Sequence, residues 1–368
     1  MPRFPIPVSV LTGFLGAGKT TLLNRLLKDA ALADTAVIIN EFGDVAIDHL
    51  LVEQSSDGVI QLSDGCLCCT VRGDLVDTLA DLVERLQTGR IARLSRVVIE
   101  TTGLADPVPV LQSIMGHPAL LHAYRLDGVI TLVDAVNAGA TLDAHVEAVK
   151  QVAVADRLVL TKTDLVAGAA TLDALRSRLR DLNPRAAIVD VADAAKSADL
   201  IKCGLYDPET KSADVRRWLG EEAHDHDDHD PGDHNHHEHS HRHDDRVRSL
   251  SLSHPGPLPY AAIEMFLDLL LSQHGDRLLR LKGIVELADD PSRPLVLHAV
   301  QSLLHPPARL PAWPDATRGT RLVLIGIDLP EDYVLRLFAA ATESPAIDTP
   351  DRAALADNPL AIGGYRSR

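Results

Sequence analysis

Gly13-Phe14-Leu15-Gly16-Ala17-Gly18-Lys19-Thr20 matches the pattern G-x-x-x-x-G-K-[ST] at every fixed position, and the reading of this stretch decides the fold. The apolar run before it (residues 6–11, IPVSVL) has the composition of a buried strand. The run after it (residues 21–27, TLLNRLL) has helical spacing. Strand, glycine-rich loop and helix in this order make a phosphate cradle, because glycines let the backbone close in and turn its N–H groups inward at the positive end of the helix dipole. In that reading Gly13 through Thr20, with Thr21 beside them, line a nucleotide. Lys19 reaches the β- and γ-phosphates, and the Thr20 hydroxyl ligates Mg²⁺.

The rest of the chain sets bounds on this reading. A length of 368 residues suggests two domains, each with its own core. The formal charge of -16, from 52 acidic and 36 basic side chains, argues against a nucleic-acid or anionic-membrane partner. The apolar start is broken by Gly13, Gly16, Gly18 and Lys19, and no apolar run is long enough to span a bilayer, so a cytoplasmic protein is expected. Four cysteines occur. Cys66, Cys68 and Cys69 cluster while Cys203 stands alone, which is no disulfide framework; a reducing compartment keeps such thiols available as metal ligands.

Up to about residue 205, strand-like runs (36–39, 59–62, 96–100, 128–134 and 157–161) alternate with amphipathic helical runs near 74–87, 107–115 and 171–181. The fold class implied is α/β, with a largely parallel sheet flanked by helices on both faces and ligands at the carboxyl ends of the strands. Asn40-Glu41-Phe42-Gly43 leaves the second strand and is open to two readings: a segment that moves with the γ-phosphate, with Glu41 a weaker metal-ligand candidate, or an ordinary exit turn. Asp44 and Asp48 are nearby carboxylates that read as solvated ahead of a ligand role. Cys66, Cys68 and Cys69 present soft donors at C-x-C-C spacing, suited to Zn²⁺ or Cu(I), and three donors leave a position open for transfer. The competing reading is three small apolar side chains filling a turn. Glu100-Thr101-Thr102-Gly103 ends the run RVVIE, placing Glu100 to act on the Mg²⁺ shell through water and Gly103 to offer its N–H to the γ-phosphate. Thr161-Lys162-Thr163-Asp164 follows RLVL. One carboxylate accepts both the N1–H and N2–H of guanine, and adenine lacks that pair, so Asp164 favours GTP while the Lys162 stem lies across the base.

Taken in order, GFLGAGKTT, NEFG, GCLCC, ETTG and TKTD resemble the CobW-type P-loop GTPases, a family of metallochaperones and metal insertases with zinc-transferring and cobalt-related members. The resemblance covers nearly the whole chain. It implies a P-loop NTPase domain and a smaller α+β C-terminal domain, and hydrolysis of GTP to GDP and phosphate coupled to metal delivery. Zn²⁺ is the first choice of cargo and Co²⁺ the second, with an apo-metalloprotein as client. By the same likeness Gly13 through Thr20 hold phosphates and Mg²⁺, Cys66, Cys68 and Cys69 hold metal, Thr161, Lys162 and Asp164 read guanine, and residues 69–73 approach the nucleotide. Thr161 departs from the asparagine common at that position, which loosens the base pocket. A homo-oligomer is compatible with this reading.

Between residues 206 and 246 the composition changes. His224, His226, His229, His234, His236, His237, His239, His241 and His243, nine of the 17 histidines, alternate with acidic residues. Such a tract builds no core. It reads as a disordered linker whose imidazoles bind metal weakly in several registers, or as a solvated linker only. The expected organisation is a GTPase domain over 1–205, this linker, an α+β domain over 247–343 and a tail over 344–368. In the second domain, strands are expected at 247–252, 277–287, 295–305 and 321–327, with helices at 260–271 and 331–341. Lys282, Gly283, His305 and Trp313 read as packing and turn residues ahead of a partner-contact role. Two other functions fit parts of the pattern: a nucleotide-switched metal buffer with little turnover, and a small-molecule kinase, for which no lid-like arginine cluster is seen.

Overall fold

The computed structural model describes residues 5–32, 34–39, 60–62, 71–193, 197–203, 246–314 and 316–342. Glu41, Cys66, Cys68, Cys69, the nine clustered histidines and the segment 344–368 lie outside the described residues.

Seven strands form the first sheet: β1 (Ile6–Gly13), β2 (Thr35–Ile39), β3 (Ile60–Leu62), β4 (Arg96–Glu100), β5 (Tyr124–Asp134), β6 (Arg157–Thr161) and β7 (Ala187–Asp190). Their order is β3-β2-β4-β1-β5-β6-β7, and every neighbouring pair is parallel. The helices are α1 (Lys19–Leu27), α2 (Val71–Gln87), α3 (Val108–Gly116), α4 (Ala138–Ala144), α5 (Val146–Ala153), α6 (Ala169–Leu182) and α7 (Ser197–Ile201). Successive strand residues point to opposite faces, which is why the strands read as unbroken apolar runs. Val8, Val10, Val97, Ile99, Val129 and Leu158 join α2, α3, α5 and α6 in one core. Leu11, Val98, Ile130, Leu132 and Val159 join α1 and α7 in the other.

Two features of this domain go beyond the sequence pattern. Strand β5 starts at Tyr124, four residues before the expected 128, because Tyr124 pairs with Ile6 and its buried hydroxyl donates to the Leu79 carbonyl at 2.8 Å. The short helices α4 and α5 fill the span between β5 and β6, where no helix was expected.

The second sheet is antiparallel. It contains β8 (Val247–His254), β9 (Leu278–Val285), β10 (Leu295–Val300), β11 (Leu303–Leu304), β12 (Ala308–Arg309) and β13 (Thr320–Ile327), in the order β11-β10-β9-β13-β8 with β12 on β10. The single strand expected over 295–305 is instead a hairpin: Gln301 sits at φ 51°, and Val300 pairs with Leu303 across the two-residue turn. Helices α8 (Tyr260–His274) and α9 (Glu331–Thr342) cover one face through Phe266, Leu270, Val334 and Phe338. From the other face Val247, Leu279, Ile284, Val300 and Ile325 enter the core of the first domain. The α+β domain is therefore clamped on its sheet side.

A buried ion cluster pins this interface. Asp156, in the turn entering β6, accepts from Arg280 at 2.7 Å and from Lys282, and Arg280 also donates to the Val154 carbonyl. Burial alone would raise the Asp156 carboxyl, but the charges of Arg280 and Lys282 outweigh it and hold the group well below the usual carboxylate range. Burial pulls the Lys282 ammonium down to about 8, against the attraction of Asp156. Gly283, next on β9, lies so close to Leu322 that a side chain there would collide with it, and the Trp313 indole N–H donates to the Pro291 carbonyl at 2.7 Å. Removing one partner of a buried ion cluster leaves uncompensated charge. Asp156→Asn is therefore expected to cost about 3–5 kcal/mol, read as a lower urea midpoint for the full chain. The folded-state carboxyl is depressed, so its contribution is complete above about pH 4 and lost as pH falls below that. The variant should accordingly show a shallower acid dependence than the parent.

Candidate nucleotide site

Strand β1, near the middle of the parallel sheet, runs out at Gly13 with φ 141°. A Cβ there would lie 2.5 Å from the Leu132 carbonyl of β5, so only glycine passes. The loop then closes on itself: Lys19 Nζ donates to the carbonyls of Gly13 at 2.8 Å and Phe14 at 3.3 Å, and the Ala17 N–H donates to Phe14 at 3.1 Å. Helix α1 begins after Gly18 with no side-chain cap and no acidic residue in its first turn. Its first N–H groups and the dipole are thus left facing the loop, an arrangement that accepts an anion.

Two neighbouring strand ends complete the site. On β4, Glu100 is 3% exposed and level with Leu11 of β1 and Ile39 of β2. The Thr101 hydroxyl donates to that of Thr12 at 2.7 Å. Gly103 abuts the cradle, for a Cβ on it would lie 2.7 Å from the Leu15 backbone nitrogen. On β6, the buried Thr161 hydroxyl donates to the Ala17 carbonyl at 2.9 Å, tying the strand end to the loop. Lys162 follows at φ 57°, its ammonium 2.7 Å from Asp134 at the end of β5. Burial works to raise the Asp134 carboxyl, but hydrogen bonds from Lys162, Asn137 and the Val136 N–H, with the Lys162 charge, hold it below its ordinary value. Asp164 is exposed in the following turn.

The residues chosen from sequence at 13–21, 100–103 and 161–164 thus meet along one carboxyl edge. Thr20, second in α1, and Glu100 offer hydroxyl and carboxylate oxygens, the hard donors that Mg²⁺ takes, so the donor types fit that ion. Among the described residues no three or more His, Cys, Asp or Glu gather as a metal site, and no helix is long and apolar enough to cross a membrane. Sequence reasoning passed over Thr12, Asp134, His145 and Gln151. Asp134 carried a usable signal, since it too ends an apolar strand. His145, whose ring centroid lies 4.5 Å from that of Phe14, and Gln151 carried none.

A glycine loop closed by its own lysine, set between a central parallel strand and an uncapped helix, defines a P-loop nucleotide-binding domain. The model for the CobW/HypB/UreG nucleotide-binding domain matches residues 7–190, and that for the cobalamin synthesis protein cobW C-terminal domain matches residues 247–342. The chain belongs to the CobW family. It is 36% identical over 339 residues to the zinc chaperone YjiA of Escherichia coli K12, covering 91% of this chain and 98% of that protein. It is 32% identical to the zinc chaperone CobW of a Sinorhizobium species, covering 90% and 95%. The crystal structure of Zn(II)-bound YjiA GTPase from E. coli superposes with a TM-score of 0.66 at 32% identity, covering 93% of this chain and all of that one.

Thr161→Val removes the tie to Ala17 while keeping the side-chain shape. Affinity for GDP and for a non-hydrolysable GTP analogue should fall together, on the order of fivefold by titration calorimetry, and Thr161→Ser should restore it.

Proposed function

We propose that this chain is a GTP-dependent metallochaperone, hydrolysing GTP to GDP and phosphate to load or release zinc for an apo-metalloprotein client. The observation that carries the nucleotide half of this reading is the lysine-closed cradle beside the β6 exit. The metal half rests on Cys66, Cys68 and Cys69 and on the zinc chaperones among the relatives. Cobalt is a second cargo that the same thiolates accept.

Phosphoryl transfer asks for positioning and charge neutralisation more than for covalent chemistry. Lys19 exchanges its two carbonyl partners for phosphate oxygens, and the N–H groups at the start of α1 complete the cradle. Thr20, with Glu100 acting through water, would hold Mg²⁺, and the ion would supply charge neutralisation to the phosphates. Glu100 is the group assigned to orient the attacking water, whose oxygen bonds to the γ-phosphorus as the bond to the bridging oxygen breaks. Asp164 accepts both guanine donors, and Asp134 steadies the Lys162 head so that its stem can lie against the base. The Gly103 N–H meets the γ-phosphate. The cysteines lie between the NEFG segment and β4 in the chain, and if GTP tightens metal binding there, metal tightens GTP binding by the same free energy.

The deciding measurement is Zn²⁺ affinity by chelator competition in a variant lacking residues 224–243, with Mg²⁺ and either GDP or a GTP analogue. Tighter binding with the analogue, abolished by Cys66→Ala, is expected; equal affinity in both states would make the protein a buffer. Guanine reading has its own test. Asn at 164 keeps one acceptor and gains a donor, which suits xanthine. Asp164→Asn should lower GTP affinity on the order of 100-fold while XTP gains.

A further inference from the structure

Helix α5 has the sequence VEAVKQVA, and its inward residues Ala148, Val149 and Val152 are apolar core. Gln151 interrupts that row and is 1% exposed. A buried amide is costly unless its donors are met, and a leucine would fill the same space without that cost. The amide meets its cost in one place: Nε2 donates to the carbonyls of Gly103 at 3.2 Å and Ala105 at 3.0 Å, both in the loop between β4 and α3. The helix turn that carries it is itself anchored, because the Thr131 hydroxyl of β5 donates to the Gln151 carbonyl at 2.7 Å. Beside it Lys150 pairs with Asp106 at 2.8 Å.

Because peptide bonds are planar, fixing a carbonyl fixes the N–H on the other side of the same bond. Gln151 therefore sets the N–H of Leu104 through the Gly103 carbonyl, and that of Asp106 through the Ala105 carbonyl. The Ala105 N–H, donating to Thr102 at 3.1 Å, sets the N–H of Gly103 in the same way. The loop's donors are thus oriented by protein contacts alone, while Gly103 is pressed against Leu15 of the cradle. Donors fixed in advance stabilise developing charge at no reorganisation cost.

We propose that Gln151 is a positioning residue for nucleotide turnover, presetting the loop after Glu100 from the buried face of α5. This rests on the reading above that the Gly103 N–H meets the γ-phosphate. Gln151 acts on that N–H by holding the Gly103 and Ala105 carbonyls on either side of the turn that Ala105 closes onto Thr102. It predicts that the amide matters for the GTP state and for hydrolysis, and not for holding GDP.

The test uses the full chain with Gln151→Leu, and the isosteric Gln151→Glu as a second variant should the first not fold. Steady-state turnover, GDP affinity and hydrogen exchange of the 101–107 amides with GDP or a GTP analogue are measured for each. The expected result is a kcat lower on the order of 10- to 100-fold with GDP affinity within about twofold, and loss of the extra protection that the analogue gives the parent loop. Parent-like kcat and protection in a folded variant would overturn the proposal and leave the reading of the loop intact. GDP affinity falling in step with kcat would also overturn it, by showing a general structural role. No nucleotide-dependent protection in the parent would sink the reading itself and this proposal with it.

Discussion

The passage of Gly13 beside the Leu132 carbonyl is the constraint on which the site depends. It lets β1 run its full length against β5 and leave the sheet edge as a tight loop instead of veering away. From there the loop can fold back far enough for Lys19 to reach the carbonyls of Gly13 and Phe14, and α1 can start with its amide groups toward the loop. A side chain at residue 13 would push β1 off β5 and break the register that brings Thr12 level with Thr131, and with it the neighbouring contact of Thr12 with Thr101.

Helix α5 is one of the elements, with α3 and α6, at which the two halves of the molecule meet. His145, just ahead of it, packs on Phe14 of the cradle; Lys150 and Gln151 hold the loop after β4; and the Val154 carbonyl just beyond it accepts from Arg280 of the second sheet. The ten residues from His145 to Val154 thus touch the cradle, its neighbouring loop and the α+β domain. The buried charges at Asp156, Arg280 and Lys282 fix the far end, and their cost is tolerable only while the two domains stay pressed together. The connection from cradle to α+β domain runs through this short helix and the residues at its two ends.

Much of the cradle is legible in the sequence, because each signal is local. The spacing of Gly13, Gly18 and Lys19 is a covalent fact, and the apolar runs that became β4 and β6 end where their chemistry begins, at Glu100 and Thr161. Beyond its place in the base-reading motif, the Thr161 hydroxyl ties β6 to the Ala17 carbonyl, a contact between residues 144 apart in the chain that no local pattern announces. The hairpin at Gln301 was read as one strand because both arms are apolar, and only the left-handed backbone at that residue separates them.

The sequence by itself determined the class of protein: a phosphate-binding loop between strand and helix, a parallel α/β sheet and a second α+β unit, each following from periodicity and short motifs. Tertiary structure alone decided which distant polar groups share a partner. Gln151 lies in a helix that nothing in the local pattern marks as functional, and Asp156 looks like any turn aspartate until β9 delivers Arg280 and Lys282 to it. The physical reason is that periodicity reports which face of an element is buried. What a buried polar group must find to offset its lost water is set by whichever strand or loop the fold lays against it.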